Sequence, residues 1–551
     1  MSLPLSRREF LGYGAAAAAA ALGCARRTSI APARGPFEPT WESLAGYTAP
    51  DWFRDAKLGL WAHWGPQCQP ELGDWYGRHM YIQGHYQYDH HLKAYGHPTR
   101  SGFMEVIGRW KAERWDPDAI VALYQRAGAR YFVAMANHHD NLDLYDSAHH
   151  AWNSVRVGPK RDVVGGWARA ARARGLRFGV SNHSAHAWHW YQTAYGYDPE
   201  GPLAGVRYDA ARLTRADGAG AWWEGLDPRE LYTGPHMVMP DGITTAAAAR
   251  AWHDANDAQW LETPPPNDPE YARRWLLRCQ DLLAKYRPDF LYFDDYELPL
   301  GRAGLDATAW YYNESMRWHG GALEAVVTAK RLAPAHATAV VETVERGFGD
   351  ALRPLPWQTD TCLGNWHYDR SLFERHGYKS AQSVIARLCD TVSKNGNLLL
   401  SVPVRGDGTV DEDELRILDD MAAWMATNGA AIYGTRPWTA YGEGPTQVGG
   451  GMFNESQTSA FTAQDVRFTT RGDTLYALVL GWPGDRRVTI RSLASGSPLA
   501  PGEVGRVRLL GGGPLEHARD AAGLTVTLPA TRPAGAVAVY ALEIAGRGIA
   551  R

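Results

Sequence analysis

From residue 50 to about residue 440, short apolar runs ending in polar or aromatic clusters alternate with stretches of helical period. That alternation limits the possible folds more than any other feature of the chain. The runs are Leu58–Pro66, Tyr131–His139, Leu176–Ser184, Phe290–Asp295, Ala339–Gly347 and Leu398–Pro403. Their lengths suit strands buried on both faces of a parallel sheet. The helical segments are Asp116–Ala129, Val163–Arg174, Tyr271–Tyr286, Ala309–Leu332, Ser380–Ser393 and Asp411–Asn428, with stop signals such as Gly128 and Gly175. The pattern predicts an α/β fold, a (β/α) TIM-like barrel, regular or irregular. A doubly wound open sheet is the alternative. No G-x-G-x-x-G follows the first strand, which counts against its dinucleotide-binding form. Trp188 to about Pro266, rich in Gly, Pro, Asp and Trp, breaks the alternation. It is expected as an insertion after the third strand, shaping the mouth of the barrel.

After Trp438 the character changes. Val466–Thr470, Thr474–Leu480, Arg487–Arg491, Val504–Leu510, Leu524–Leu528 and Val537–Ile544 are short β-rich runs split by Gly, Pro and Asp. They predict a C-terminal β-sandwich packed against the barrel. At the other end, Arg7-Arg8 with Phe10 and Leu11, then the alanines Ala15–Ala21, resemble a twin-arginine export signal. Ala21-Leu22-Gly23-Cys24 resembles a lipoprotein cleavage box. The expected organisation is an export signal at 1–24, a linker at 25–39, a catalytic barrel at 40–440 and the sandwich at 441–551. The expected location is periplasmic or lipid-anchored at the bacterial envelope, with a lipid on Cys24 as the one membrane attachment. A net charge of −3, from 57 basic and 60 acidic residues, implies no basic face, so nucleic acid is not an expected partner. Cys68, Cys279, Cys362 and Cys389 show no C-x-x-C spacing, so no structural zinc is suggested. Export of a chain already folded in a reducing compartment lowers the expectation of disulfides.

In a barrel, side chains at the C-terminal strand ends converge on one mouth. Here those ends carry His63-Trp64, followed by Asp74-Trp75-Tyr76, then Asn137-His138-His139-Asp140 and Asn182-His183-Ser184. Asp294-Asp295, Glu342, Glu345 and Arg346 follow, then Trp357-Gln358-Thr359-Asp360 and Trp366-His367-Tyr368. Imidazole and amide groups donate to and accept from sugar hydroxyls. Indole rings, of which the chain has 23, cover the apolar edge of a sugar. Two carboxyl groups, one ionised and one protonated, cleave a glycosidic bond. The mixture suits glycoside hydrolysis.

These segments resemble glycoside hydrolase family 29, the α-L-fucosidases, over roughly residues 40–440. The stretch Phe53-Arg54-Asp55-Ala56-Lys57-Leu58-Gly59-Leu60-Trp61-Ala62-His63-Trp64-Gly65 is similar to the family's first-strand signature. Trp115 through Tyr131, His138-His139-Asp140 and Asp146-Ser147 resemble its second unit, and Tyr286 through Asp294 its nucleophile strand. Asn395–Leu400 and Asn428–Arg436 match two late signatures. The resemblance implies a retaining, exo-acting enzyme that needs no cofactor and no metal and acts on fucosylated oligosaccharides or polysaccharides. It implies Asp294 as the nucleophile, forming a glycosyl-enzyme ester. His63, His138 and His139 would hold fucose hydroxyls, with Asp74 and Trp75 beside them and Trp75 against the fucose methyl group. Arg346 would lower the pKa of a neighbouring Asp, and Trp357 is expected among the substrate-binding residues.

The chain also departs from the family pattern. Many members carry Glu directly after a Trp, as general acid/base, where this chain has Trp357-Gln358. Another branch places the acid/base at the end of the preceding segment, which Glu345-Arg346-Gly347 resembles in part. Glu345 is therefore the expected acid/base, with Glu342 and Asp360 as substitutes. Asn141 stands where Gly-Phe is usual, and Ser181-Asn182-His183 where Tyr residues are common. Gln358 keeps open a non-catalytic, fucose-binding lipoprotein that retains the pocket. A metal-dependent hydrolase on His63, His138 and His139 is disfavoured, because adjacent residues of a strand point to opposite faces.

Overall fold

The computed structural model describes residues 30–32, 34–259 and 268–550. The proposed export signal and Cys24 lie outside the described residues. Eight parallel strands close a barrel in chain order. They are β1 (Leu58–Ala62), β2 (Tyr131–Asn137), β3 (Arg177–Asn182), β4 (Phe290–Tyr296), β5 (Val326–Lys330), β6 (Val341–Glu345), β7 (Trp357–Cys362) and β8 (Gly396–Ser401). Closure is made by β1 beside β8, with Gly59 opposite Leu399. Aromatic residues fill the interior, which leaves no room for a side chain at Gly59. A Cβ there would fall 2.3 Å from the Tyr131 ring.

The outer helices begin where the sequence supplies caps. The Asp116 carboxylate accepts from the Ala119 N–H ahead of α1 (Pro117–Arg126), and Asp162 does the same for Gly165 ahead of α2 (Val163–Ala173). Asp268, with Pro269 at the first helical position, caps α3 (Pro269–Tyr286). Next come α4 (Arg302–Trp318) and α5 (Ala381–Ser393), the latter capped by Ser380. Asp411 and Glu414 form a capping box at α6 (Glu412–Asn428).

One expected helix is corrected. Ala309–Leu332 is not continuous, because α4 ends at Trp318 and β5 occupies Val326–Lys330. His319-Gly320-Gly321 stops the helix with two left-handed glycines, and the β-branched run Val326-Val327-Thr328 fits the pleat. The described part of the expected linker is docked at two points. Ala31 exchanges two hydrogen bonds with Gln280 on α3, and Phe37 exchanges two with Asn313 on α4.

The C-terminal part is two antiparallel sheets. The larger contains β9 (Arg436–Glu443), β10 (Val466–Arg471), β11 (Thr474–Val479), β13 (Glu503–Leu509) and β16 (Tyr540–Arg547). The smaller contains β12 (Arg487–Ile490), β14 (His517–Asp520) and β15 (Gly523–Thr527). The larger sheet is covered on both faces. Leu475, Ala477 and Val479 face the smaller sheet, and Tyr476 and Leu478 join the barrel core. A buried Asp390–Arg467 pair at 2.6 Å fastens α5 to β10.

Cys68, Cys279, Cys362 and Cys389 are buried free thiols. Among the described residues no helix is long and apolar enough to cross a membrane.

Candidate active site

The C-terminal strand ends surround a cavity of about 420 Å³. His63, Asp74, Trp75, His138, His139, Asp294, Glu345 and Arg346 line it, as the sequence led us to expect. So do His183 and Trp366, which the sequence places at the mouth without a role, and Tyr292, Lys330, Phe453 and Glu455, for which the sequence pattern carries no expectation.

Asp294 is at the centre. Tyr292, Asp294 and Tyr296 alternate along β4 onto the cavity side, and the pairing of β4 with β5 slips between Tyr292 and Tyr296. Its Oδ2 lies 3.1 Å from His183 Nδ1 and 3.3 Å from His139 Nε2, and its Oδ1 accepts from Lys330 Nζ. The same ammonium reaches Glu345 Oε2 at 2.5 Å. Burial alone would push the Asp294 carboxyl up. The Lys330 charge, the His183 ring and hydrogen bonds from His139 and His183 overcome it and hold the group well below its ordinary 3.8. For Glu345 burial wins. With Asp294 and Asp360 adding repulsion against the pull of Lys330, its pKa rises from 4.5 to about 7. Two carboxyl groups on one lysine are thus driven in opposite directions.

The imidazoles are neutral near pH 7. Burial first, then the neighbouring rings, holds His63 and His138 well below 6.5. His183 falls to about 4, again through burial. Both ring nitrogens of His63 are buried without a hydrogen-bond partner among the described residues, so they are available to a ligand's hydroxyls. His139 is oriented from behind by a 2.8 Å hydrogen bond between its Nδ1 and the His183 carbonyl. Asp74 accepts from the backbone N–H of Trp366 at 3.2 Å and of His367 at 2.7 Å, which fixes the Trp366 wall. Trp75 begins a short helix in the left-handed region at φ 61°, a costly conformation for an aromatic residue and one that recurs at ligand sites.

Four assignments are corrected by geometry. Trp357 is not at the mouth. It is the first residue of β7, buried, with its indole N–H on the Lys394 carbonyl. Glu342 does not line the cavity. It points to the other face of β6 from Glu345 and pairs with Arg353 at 2.7 Å. Asp360 is fully buried beneath the cavity, accepting from Thr343 at 2.8 Å and Tyr292 at 3.1 Å. Arg346 lines the cavity but pairs with Glu455 at 2.8 Å, and Lys330 is the cation on Asp294. Gln358, the source of the binding-only alternative, is buried in the barrel between Tyr131 and Thr343 and does not line the cavity.

The departure at Asn141 has a backbone cause. Its φ is +60°, a value glycine adopts freely and asparagine tolerates. The side chain then donates to the carbonyls of Glu230 and Leu231, tying the strand end to the insertion.

The expected opposition of His138 and His139 does not occur. β2 ends at Asn137, and both rings line the cavity with centroids 4.3 Å apart. Among the described residues, His63, His138 and His367 form one trio, and His138, His139 and His183 another, whose donor atoms lie within 4.8 Å of one another. Such imidazoles could hold a transition metal. In the second trio, two of the rings already contact Asp294.

An eight-stranded barrel whose mouth holds a depressed carboxyl, a raised one, neutral imidazoles and indoles is the arrangement of a glycoside hydrolase. Residues 24–430 match the family model of the α-L-fucosidases, and residues 458–544 match the α-L-fucosidase C-terminal domain. The chain belongs to the α-L-fucosidase family, glycoside hydrolase family 29. It is 24% identical to human tissue α-L-fucosidase over 540 residues, covering 96% of this chain and 95% of that one. Its identity to the bovine tissue enzyme is 26% over 456 residues, covering 81% and 78%. The crystal structure of Thermotoga maritima α-fucosidase in complex with fucose superposes with a TM-score of 0.65 at 26% identity, covering 92% of this chain and 100% of that one.

Proposed function

We propose that this α-L-fucosidase is retaining and exo-acting, and that it releases terminal α-L-fucose from glycans through a covalent intermediate. The observation that carries the reading is the shared lysine. Because Asp294 and Glu345 both touch Lys330 Nζ, their nearest oxygens lie within the roughly 5–5.5 Å typical of retaining pairs, too close for the water that an inverting enzyme places between its base carboxylate and the sugar. Asp294, ionised, attacks the anomeric carbon while Glu345, protonated, donates its proton to the departing oxygen. Glu345 then takes a proton from water as the glycosyl ester is hydrolysed. His63, His138 and His139 hold the hydroxyls, and Trp75 covers the apolar edge of the sugar. A pocket closed below by the barrel interior suits a chain end over an internal residue.

Azide rescue tests the assignment. Asp294→Gly with azide should yield β-fucosyl azide, because azide replaces the missing nucleophile on the α-linked substrate. Glu345→Gly should yield α-fucosyl azide, because azide intercepts the intermediate. The same product from both variants would dispose of the two-carboxylate mechanism.

Export and lipidation of Cys24 belong to the same proposal. They rest on Arg7-Arg8 and the Ala21–Cys24 box. Labelled fatty acid that fails to enter the expressed protein, or enters Cys24→Ala equally, would remove the anchor.

A further inference from the structure

The cavity has a wall that does not come from the barrel. Between β9 and β10 the chain runs back over the mouth, and Phe453, Glu455 and Ser456 line the cavity. This segment is fastened to the end of β6. The Phe453 N–H donates to the Glu345 carbonyl at 2.8 Å, the Glu455 N–H to the Arg346 carbonyl at 3.1 Å, and the Gly451 N–H to the Phe348 carbonyl at 3.1 Å. The Glu455 carboxylate receives Arg346 at 2.8 Å, Arg387 at 3.0 Å, Lys379 at 3.1 Å and the Thr361 hydroxyl at 2.7 Å. So many anchors hold residues 451–455 of this long connection in one place. They also hold Phe453 at φ 56°, in the left-handed region that a bulky residue normally avoids, and leave it 52% exposed.

We propose that Phe453 is the platform on which the leaving-group sugar lies, a pyranose that packs its C–H face on this ring. The inference rests on the hydrolase reading above and deepens it. Position supports it. The residues around Asp294 are buried, as a site for the terminal sugar requires. Phe453 instead stands at the open edge, with its own backbone on the residue that protonates the leaving oxygen. Chemistry supports it as well. An exposed aromatic face beside Arg346, Glu455 and Ser456 offers an apolar surface with a polar rim, which matches the C–H face and hydroxyl edge of a pyranose better than an alkyl chain.

The test compares a fucosylated oligosaccharide with α-L-fucosyl fluoride, whose leaving group reaches no platform. In Phe453→Ala, the ratio of kcat/KM on the oligosaccharide to that on the fluoride should fall ~10-fold or more, carried mainly by KM. Phe453→Trp should restore the ratio. An unchanged ratio, whether both activities fall or neither does, overturns the platform and leaves the hydrolase standing. Wild-type protein inert on the fluoride removes the hydrolase reading and the platform with it.

Discussion

Glu345 Oε2 sits 2.5 Å from Lys330 Nζ, so the group assigned as proton donor is held by a cation that also holds the nucleophile. The lysine opposes the burial that raises Glu345 and reinforces the contacts that depress Asp294. The proposed mechanism needs Glu345 protonated and Asp294 ionised. Activity on a substrate with a poor leaving group should therefore fall as pH rises through about 7 and hold to well below pH 3.8 on the acid side. Lys330→Met removes a charge that lowers both groups, so both limbs of the kcat/KM profile should move to higher pH, by roughly 1–3 units. A profile that does not move would show that the lysine does not set these pKa values.

Glu345→Gln and Glu342→Gln separate the two faces of β6. Loss of the donor should cost ~10²–10⁴-fold on an oligosaccharide and far less on the fluoride, which leaves without a proton. Glu342 is turned away toward Arg353, and its replacement should leave kcat within about twofold. Reversed results would move the proton donor to Glu342.

His63→Ala should weaken inhibition by free fucose by roughly 10–100-fold, because two buried ring nitrogens with no hydrogen-bond partner among the described residues are lost from the cavity wall. Melting temperature measured alongside separates this from general damage. Equal inhibition constants for the two proteins would place the sugar elsewhere.

Glu455 makes an acid-stability prediction. Burial opposes ionisation, yet Lys379, Arg387, the Thr361 hydroxyl and Arg346 pull its pKa from 4.5 down to about 2. A group depressed on folding stabilises the protein above its unfolded pKa, and that contribution is lost as pH falls from 4.5 toward 2. Glu455→Gln should cost on the order of 3 kcal/mol at pH 7, with the difference closing toward pH 2. Denaturant unfolding at several pH values measures it. A pH-independent difference would mean that the carboxylate's charge is not what holds the loop.

The alternation of apolar runs and helical stretches between residues 50 and 440 predicts the barrel, and strand-end residues predict most of its mouth, because parallel strands deliver their last side chains to one place. Lys330 was hidden for a definable reason. Its strand follows a helix of mixed polarity after a short gap, and the two read as a single helix until Gly320-Gly321 is taken as a stop. Trp357 and Glu342 were misplaced because proximity in sequence to a strand end does not say which end, or which face, a residue occupies. Phe453 and Glu455 had no local signal at all. They reach the cavity from a loop between two strands of another sheet, through contacts about a hundred residues away in the chain, as with Glu455 and Arg346.

The larger C-terminal sheet lends one face to the barrel core, and the loop beside it supplies a side of the cavity. The two halves of this chain are thus poor candidates for exchange with those of a relative. A graft that replaced residues after 440 would strip apolar cover from the catalytic half and import another enzyme's rim around the scissile bond, so hybrids that still fold should differ in which glycans they trim.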